Sequence, residues 1–172
     1  MNSLIFNSLR FIGLVLLQVL ILNQIEFIGY VNPFVYILFI MMLPLSIPGW
    51  LLLLLGFGTG YTIDLFMTGA GLHTAATVFM AFARPYVIQL ATGAKQPETV
   101  NDPGLSQMGM RWWFSYTLSL VVLHHFALFI LESFSFSQLG YTLIRIILSV
   151  IATELLILLL SYFFSARQGK KK

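Results

Sequence analysis

Five charged side chains lie within apolar stretches of the sequence, where a charge is rare and could serve chemistry or hold helices together. They are Arg10, Asp64, Arg84, Arg145 and Glu154. A charge at the centre of a membrane helix costs about 2.5–3.5 kcal/mol on insertion scales, so each is expected to pair, face the interior of a bundle or reach water. Their depths favour an Arg84–Glu154 pair, with Arg10 as a competitor, and an Asp64–Arg145 pair nearer the other side. The predicted role is to lock helices together, with a proton or substrate relay as the alternative. Arg10 is also close enough to a helix end for its side chain to extend to the surface.

Motifs for catalysis and for metal or cofactor binding are missing from the sequence. There is no cysteine, no G-x-S-x-G, no P-loop and no H-E-x-x-H. The glycine-rich run 56–60 lacks the third glycine of a dinucleotide site, because Ile63 occupies that place. His124 and His125 are adjacent, so on a helix they point about 100° apart and cannot hold one metal from one face. His73 stands alone at a helix start. We therefore predict no enzyme activity, no cofactor and no metal site.

The composition excludes an ordinary soluble domain. The chain has 172 residues, of which 59% are hydrophobic, and only nine are Lys or Arg and six Asp or Glu. A soluble chain of this length would carry about a quarter charged residues. The mean hydropathy of +0.92 agrees. A disordered chain and a disulfide-stapled module are excluded as well, which leaves a small polytopic membrane protein.

Apolar stretches separated by turn signals predict an all-α transmembrane bundle of six spans in a single membrane domain. The spans are predicted over 4–23, 34–47, 50–67, 72–90, 112–131 and 138–164. A polar loop is predicted over 92–111 and a basic tail over 165–172. The first stretch has no small-x-small cleavage pattern after it, so it is interpreted as a retained span rather than a signal peptide. A rival interpretation merges 34–55 into one proline-kinked helix and leaves five spans.

The charges outside the spans predict the orientation. With six spans, every Lys and Arg outside the apolar stretches falls on one side; they are Lys95, Arg111, Arg167 and Lys170 to Lys172. Only Glu26 and Glu132 fall on the other side. By the positive-inside rule, both termini and the 92–111 loop are expected to be cytoplasmic.

The third predicted span carries a glycine stripe that ends in an acid. Gly56, Gly60 and Asp64 are spaced at i, i+4 and i+8, so they share one helix face. Small residues there let another helix approach closely. A turn at 69–71 brings the next helix back, and its first amides lack partners within the helix. Asp64 is therefore predicted to accept hydrogen bonds from these amides and to lock the hairpin of spans three and four.

The same run resembles a known family. Gly56, Gly60 and Asp64-Leu65-Phe66, followed by Gly71-Leu72-His73, resemble the signature region of MreD, the rod shape-determining membrane proteins. Length and predicted span count agree with that family, whereas the short second span departs from it. The resemblance implies a bacterial inner-membrane subunit of the cell-elongation machinery, with MreC as partner and with MreB, RodA and a class B penicillin-binding protein in the same complex. It also implies a fold like the six-helix substrate-binding subunits of energy-coupling-factor transporters.

Two functions follow as hypotheses. The first is a non-catalytic adaptor that binds an MreC-like partner and helps to control cell shape and peptidoglycan synthesis, with the basic tail docking on anionic lipid or partner proteins. The alternative is a substrate-binding subunit of a vitamin-type transporter, in which Arg84, Arg145 and Glu154 line a ligand cavity with His124 and His125. A weaker third hypothesis is a cavity that admits a polyprenyl-linked precursor.

Overall fold

The computed structural model describes residues 3–24, 31–67, 69–93, 103–133 and 139–169. Within these ranges the fold is all-helical, without a strand. The longer helices are α1 (Ser3–Leu20), α3 (Gly49–Met67), α4 (Leu72–Thr92), α6 (Met110–Ser133) and α7 (Leu139–Gly169). The short elements are α2 (Leu38–Met41), α5 (Leu105–Met108) and two 3₁₀ turns, Leu22–Gln24 and Val35–Ile37. Glu26, Lys95 and Lys170 to Lys172, which entered the predicted orientation, lie outside the described residues.

Four helical stretches are long and apolar enough to cross a membrane, which indicates a membrane protein. They are Ile5–Gln24, Gly49–Met67, Met110–Ser133 and Gly140–Ser165. Large apolar side chains cover their outer surfaces; Leu20, Leu65 and Leu155, for example, are each 63% exposed. Such a surface suits lipid rather than water.

The fourth predicted span, 72–90, coincides with a helix of a different character. At 21 residues, α4 is about 31 Å long, which is enough to cross a bilayer. Its composition is more polar, and the polar residues His73, Thr74, Thr77 and Arg84 are buried against other helices. Since α4 packs between α3 and α6, its polar side chains face neighbouring helices instead of lipid.

The second predicted span, 34–47, is not a continuous helix. Only Val35–Ile37 and Leu38–Met41 are helical, and residues 42–48 are not. The single kinked helix over 34–55 of the rival interpretation is therefore absent too. Proline explains the break, because it lacks an amide hydrogen and disfavours helix in the residue before it, and Pro44 and Pro48 both lie here. We call residues 31–48 the core segment.

Residues 33–43 of the core segment are buried inside the bundle, among α1, α4, α6 and α7. All seven of its helical residues are buried. At its start, the Phe34 amide donates to Thr153 Oγ1 of α7 at 3.0 Å. Seven residues later, the Met41 carbonyl accepts from the Tyr116 hydroxyl of α6 at 2.9 Å. His125 also contacts Thr153 and lies nine residues from Tyr116, so this part of the segment travels about 14 Å along the bundle.

Side chains of the surrounding helices bind the backbone at the start of the core segment. Gln18 of α1 accepts from the Val35 amide at 2.9 Å and donates to the Pro33 carbonyl at 3.0 Å. Ser149 Oγ of α7 accepts from the Asn32 amide at 3.0 Å. Irregular backbone within a membrane protein is tolerated only where protein or water satisfies its polar groups. These polar side chains therefore make the irregular segment possible.

Candidate functional site

Asp64 caps the N-terminus of α4, as its spacing predicted. Its Oδ1 accepts from the His73 amide at 3.1 Å, and its Oδ2 accepts from the Thr74 amide at 2.8 Å. The Thr74 hydroxyl also donates to Oδ2, and His73 Nδ1 lies 3.0 Å from Oδ1. A carboxylate at a helix N-terminus is favoured by the unpaired amides and by the helix dipole. One side chain at the end of α3 thus fixes the beginning of α4.

The glycine stripe lets α3 and α4 approach closely. A Cβ atom on Gly60 would lie 2.5 Å from Thr74 Cα and 2.7 Å from the His73 carbonyl oxygen, and one on Gly56 would lie 3.0 Å from Ala81 Cβ. Backbone atoms cannot yield to such a contact as a flexible side chain can. Gly71, in the turn between the helices, has φ +89°, a left-handed conformation that favours glycine. The glycines of the predicted motif therefore allow both the close packing of α3 against α4 and the turn that connects them.

A methyl group at Gly60 should separate the two helices, whereas one at Gly58 should not, because nothing lies within 4 Å of a Cβ there. We expect Gly60→Ala to lower the free energy of unfolding by about 1–3 kcal/mol, the usual range for overpacking. Gly58→Ala, two residues away in the same helix, is the matched control and should leave it nearly unchanged. Unfolding in mixed detergent micelles measures both. Equal stability of the two variants would show that α3 and α4 are not in close contact at Gly60.

The three histidines surround one aromatic ring of the core segment. The Phe34 ring centroid lies 5.3 Å from that of His73, 6.0 Å from that of His124 and 5.4 Å from that of His125. His124 Nε2 shares a hydrogen bond of 2.8 Å with the Tyr36 hydroxyl. Within the described ranges, no group of three or more His, Cys, Asp and Glu side chains could hold a metal ion. The imidazoles therefore pack and hydrogen-bond around the core segment.

Arg84 does not form the predicted ion pair with Glu154. Its Nη2 donates to the Leu43 carbonyl and, at 3.4 Å, to the Met41 carbonyl, and its Nε donates to the Tyr116 hydroxyl at 2.8 Å. The side chain is 1% exposed. The guanidinium has five N–H donors, which suits it to several carbonyls at once. It caps the carbonyls that are left open where α2 ends and the chain becomes irregular.

Arg10 extends into the same region from α1. Its Nη1 donates to the Met42 carbonyl at 3.2 Å and to Asn7 Oδ1 at 3.2 Å, and its guanidinium lies 4.6 Å from the ring centroid of Phe6. The side chain is half-buried. Two arginines from different helices therefore bind consecutive carbonyls of the core segment.

Glu154 and Arg145 also have partners other than the predicted ones. Glu154 Oε1 accepts from the Thr117 hydroxyl at 2.6 Å. Arg145 lies 3.4 Å from Glu132, an exposed acid at the end of α6, rather than beside Asp64. The predicted Asp64–Arg145 pair is therefore wrong. The predicted pairs matched opposite charges at similar depth along the spans. The nearer partners are carbonyls for Arg84, a hydroxyl for Glu154, a histidine for Asp64 and a different acid, Glu132, for Arg145.

Removing Arg84 should be costly, because the Leu43 carbonyl would lose its donor and the Met41 carbonyl would keep only the Tyr116 hydroxyl. We expect Arg84→Leu to lower the free energy of unfolding by about 3 kcal/mol, given about 1–3 kcal/mol for each buried group left unpaired. Arg145→Leu breaks a partly exposed ion pair and should cost about 0–1 kcal/mol. Unfolding of both variants in the same detergent provides the comparison. A loss for Arg84→Leu no larger than that for Arg145→Leu would contradict the capping role.

An open groove lies between α1 and α3. Its volume is about 860 Å³, and its floor is formed by the core segment. Its walls include Phe11 and Ile12 of α1 and Leu54, Gly58 and Thr62 of α3. The Thr62 hydroxyl donates to the Gly58 carbonyl at 2.7 Å, so it is engaged within its own helix. We refer to this feature as the α1–α3 groove.

Three polar residues form buried hydrogen bonds within or around the core segment, and no role was predicted for them from the sequence. They are Gln18 of α1, Tyr36 within the core segment and Tyr116 of α6. The available signal was a hydrogen-bonding group within an apolar stretch, which in a membrane helix needs an internal partner.

No protein-family model, curated protein or solved structure matches the chain.

Proposed function

We propose that the protein is a non-catalytic membrane subunit of the bacterial cell-elongation complex, similar to MreD, and that it binds an MreC-like partner. The sequence resemblance supports the family, because the residues that carry it form the cap between α3 and α4. The observation that supports an adaptor most directly is the α1–α3 groove. Through its partner, the protein would connect to MreB, RodA and a class B penicillin-binding protein and help to control cell shape and peptidoglycan synthesis.

The α1–α3 groove has the properties of a binding site for a transmembrane helix. Gly58 offers open space above the helix backbone, and Thr62 lies one turn further along the same face. Membrane helices associate at small residues, because close approach of the backbones increases dispersion contacts. The leucine and phenylalanine side chains on either side would pack against the partner helix.

The arrangement of charges does not favour the vitamin-type transporter. That alternative requires Arg84, Arg145 and Glu154 to line one cavity. Arg84 binds backbone carbonyls in the interior, Arg145 pairs with exposed Glu132, and Glu154 bonds to Thr117. The groups proposed for ligand binding are therefore engaged in separate places.

We propose that the chain crosses the bacterial inner membrane six times, with both termini cytoplasmic. In addition to the four apolar spans, α4 would cross as a helix whose polar side chains are buried against its neighbours, and the core segment would cross as irregular chain. A six-crossing bundle of this kind would resemble the substrate-binding subunits of energy-coupling-factor transporters. Arg111 at the start of α6 and Arg167 near the end of α7 lie on the proposed cytoplasmic side.

Reporter fusions test this topology. Fusions at both termini should be active as cytoplasmic reporters and resistant to protease added outside intact cells, because six crossings return the chain to its starting side. A reporter inserted after Ser133 should be active outside the cytoplasm. Termini on opposite sides of the membrane would contradict the six-crossing proposal.

Co-purification tests the adaptor function. An MreC-like protein co-expressed with the chain should purify with it in near-stoichiometric yield from a mild detergent. We expect Gly58→Leu to reduce that yield several-fold, because a bulky side chain would fill the α1–α3 groove. Gly13→Leu on α1 is the control, since a Cβ there also meets nothing within 4 Å and Gly13 lies outside the groove. An unchanged yield for Gly58→Leu would show that the partner does not bind in the α1–α3 groove. Co-purification of an ATPase module in place of an MreC-like protein would contradict the adaptor function.

A further inference from the structure

A second groove, between α4 and α6, changes from polar to apolar along its length. Its apolar part has a volume of about 590 Å³ and is lined by Val87, Leu118 and Val122, among others. Its polar part has a volume of about 620 Å³ and includes Arg111 and Trp112. The two parts share Leu90, Ala91 and Ser115 as wall residues, so they form one continuous α4–α6 groove.

The polar end of the α4–α6 groove carries one positive charge, that of Arg111, beside the side chain of Trp112. Arg111 is exposed, and no acidic side chain in the described ranges forms an ion pair with it. Trp112 is fixed by a hydrogen bond of 3.2 Å from its Nε1 to Thr92 Oγ1 and by stacking on Tyr116 at 4.8 Å between centroids. Tryptophan beside a basic residue at a helix end is typical of the level of the lipid headgroups.

Two serines line the remainder of the α4–α6 groove, but neither hydroxyl hydrogen is available to a ligand. Ser115 donates to the Arg111 carbonyl at 3.0 Å, and Ser119 donates to the Ser115 carbonyl at 2.8 Å. Both hydroxyl hydrogens are therefore engaged within α6. Their small size makes room along the groove, while Leu118, Val122 and Leu123 supply apolar walls.

We propose that the α4–α6 groove binds one anionic phospholipid, with its phosphate at Arg111 and an acyl chain along the apolar part. Charge complementarity identifies the occupant, because a cation at one end of an apolar channel matches a molecule with an anionic head and an apolar tail. Basic pockets between membrane helices at the cytoplasmic side commonly bind anionic headgroups. A partner helix would use the apolar part and leave Arg111 without a counter-charge.

Native mass spectrometry of the detergent-purified full chain tests the headgroup contact. Phosphatidylglycerol and phosphatidylcholine with the same acyl chains are added in separate titrations. We expect the wild type to retain phosphatidylglycerol preferentially, and we expect Arg111→Gln to weaken its binding about fivefold, the effect of one basic residue near an anionic surface. Arg145→Gln removes the same charge from α7 near Glu132, at the opposite end of α6 from Arg111, and should not change binding. Equal binding of the two lipids, or equal effects of the two substitutions, would overturn the proposal.

A second variant tests the acyl-chain contact separately. Ser119→Phe fills the apolar part without changing charge, so it should weaken binding of both lipids by a similar factor. Glycerol phosphate, which has the anionic group but no acyl chain, should not displace phosphatidylglycerol at equal concentration. If Ser119→Phe binds phosphatidylglycerol as the wild type does while retaining the wild-type melting temperature, or if glycerol phosphate displaces the lipid, the groove does not hold an acyl chain. If Ser119→Phe fails to fold, Ser119→Leu serves as the smaller replacement and must show the same loss.

Discussion

The backbone of the core segment must have hydrogen-bond partners inside the bundle, and the rest of the structure is arranged to supply them. Where the chain is not helical it cannot satisfy its own amides and carbonyls, and lipid offers none. Gln18 and Arg10 of α1, Arg84 of α4, Tyr116 of α6, and Ser149 and Thr153 of α7 bind its backbone. Because each partner comes from a surrounding helix, the segment also fixes how those helices sit relative to one another. The polar side chains within the bundle are therefore part of its assembly.

Helix α4 joins this polar interior to the glycine motif. At its first turn Asp64 binds the His73 and Thr74 amides, and three turns later Arg84 binds the end of α2. Close packing at Gly60 holds α4 against α3, so the position of Arg84 depends on the cap and the glycine stripe. The outer surfaces of the five longer helices are left to contact lipid or a partner. A rigid polar interior with apolar grooves on its outside suits a subunit that acts by binding other membrane components.

Short-range features were predictable from the sequence, and long-range ones were not. The Asp64 cap followed from spacing, because its partners lie nine and ten residues away across a single turn. The partners of Arg84 did not follow, since they are carbonyls about forty residues distant that become available only because the chain leaves the helix there. The apolar run 34–47 resembles a helix in composition. The burial of residues 34–43, which removes the need for a lipid-facing side, and the effects of Pro44 and Pro48 became evident only in three dimensions. The two outer grooves depend on the packing of helix pairs, for which a single sequence gives no direct signal.

Hydrogen–deuterium exchange of the core segment, measured by mass spectrometry on the full chain in detergent or nanodiscs, tests the central claim most directly. If side chains of four helices bind this backbone, peptides covering residues 31–43 should exchange as slowly as those from α3 and α6, even though most of the segment lies outside regular α-helix. Rapid exchange of these peptides while α3 and α6 remain protected would contradict the account. In that case the core segment would not be the element around which the bundle is built.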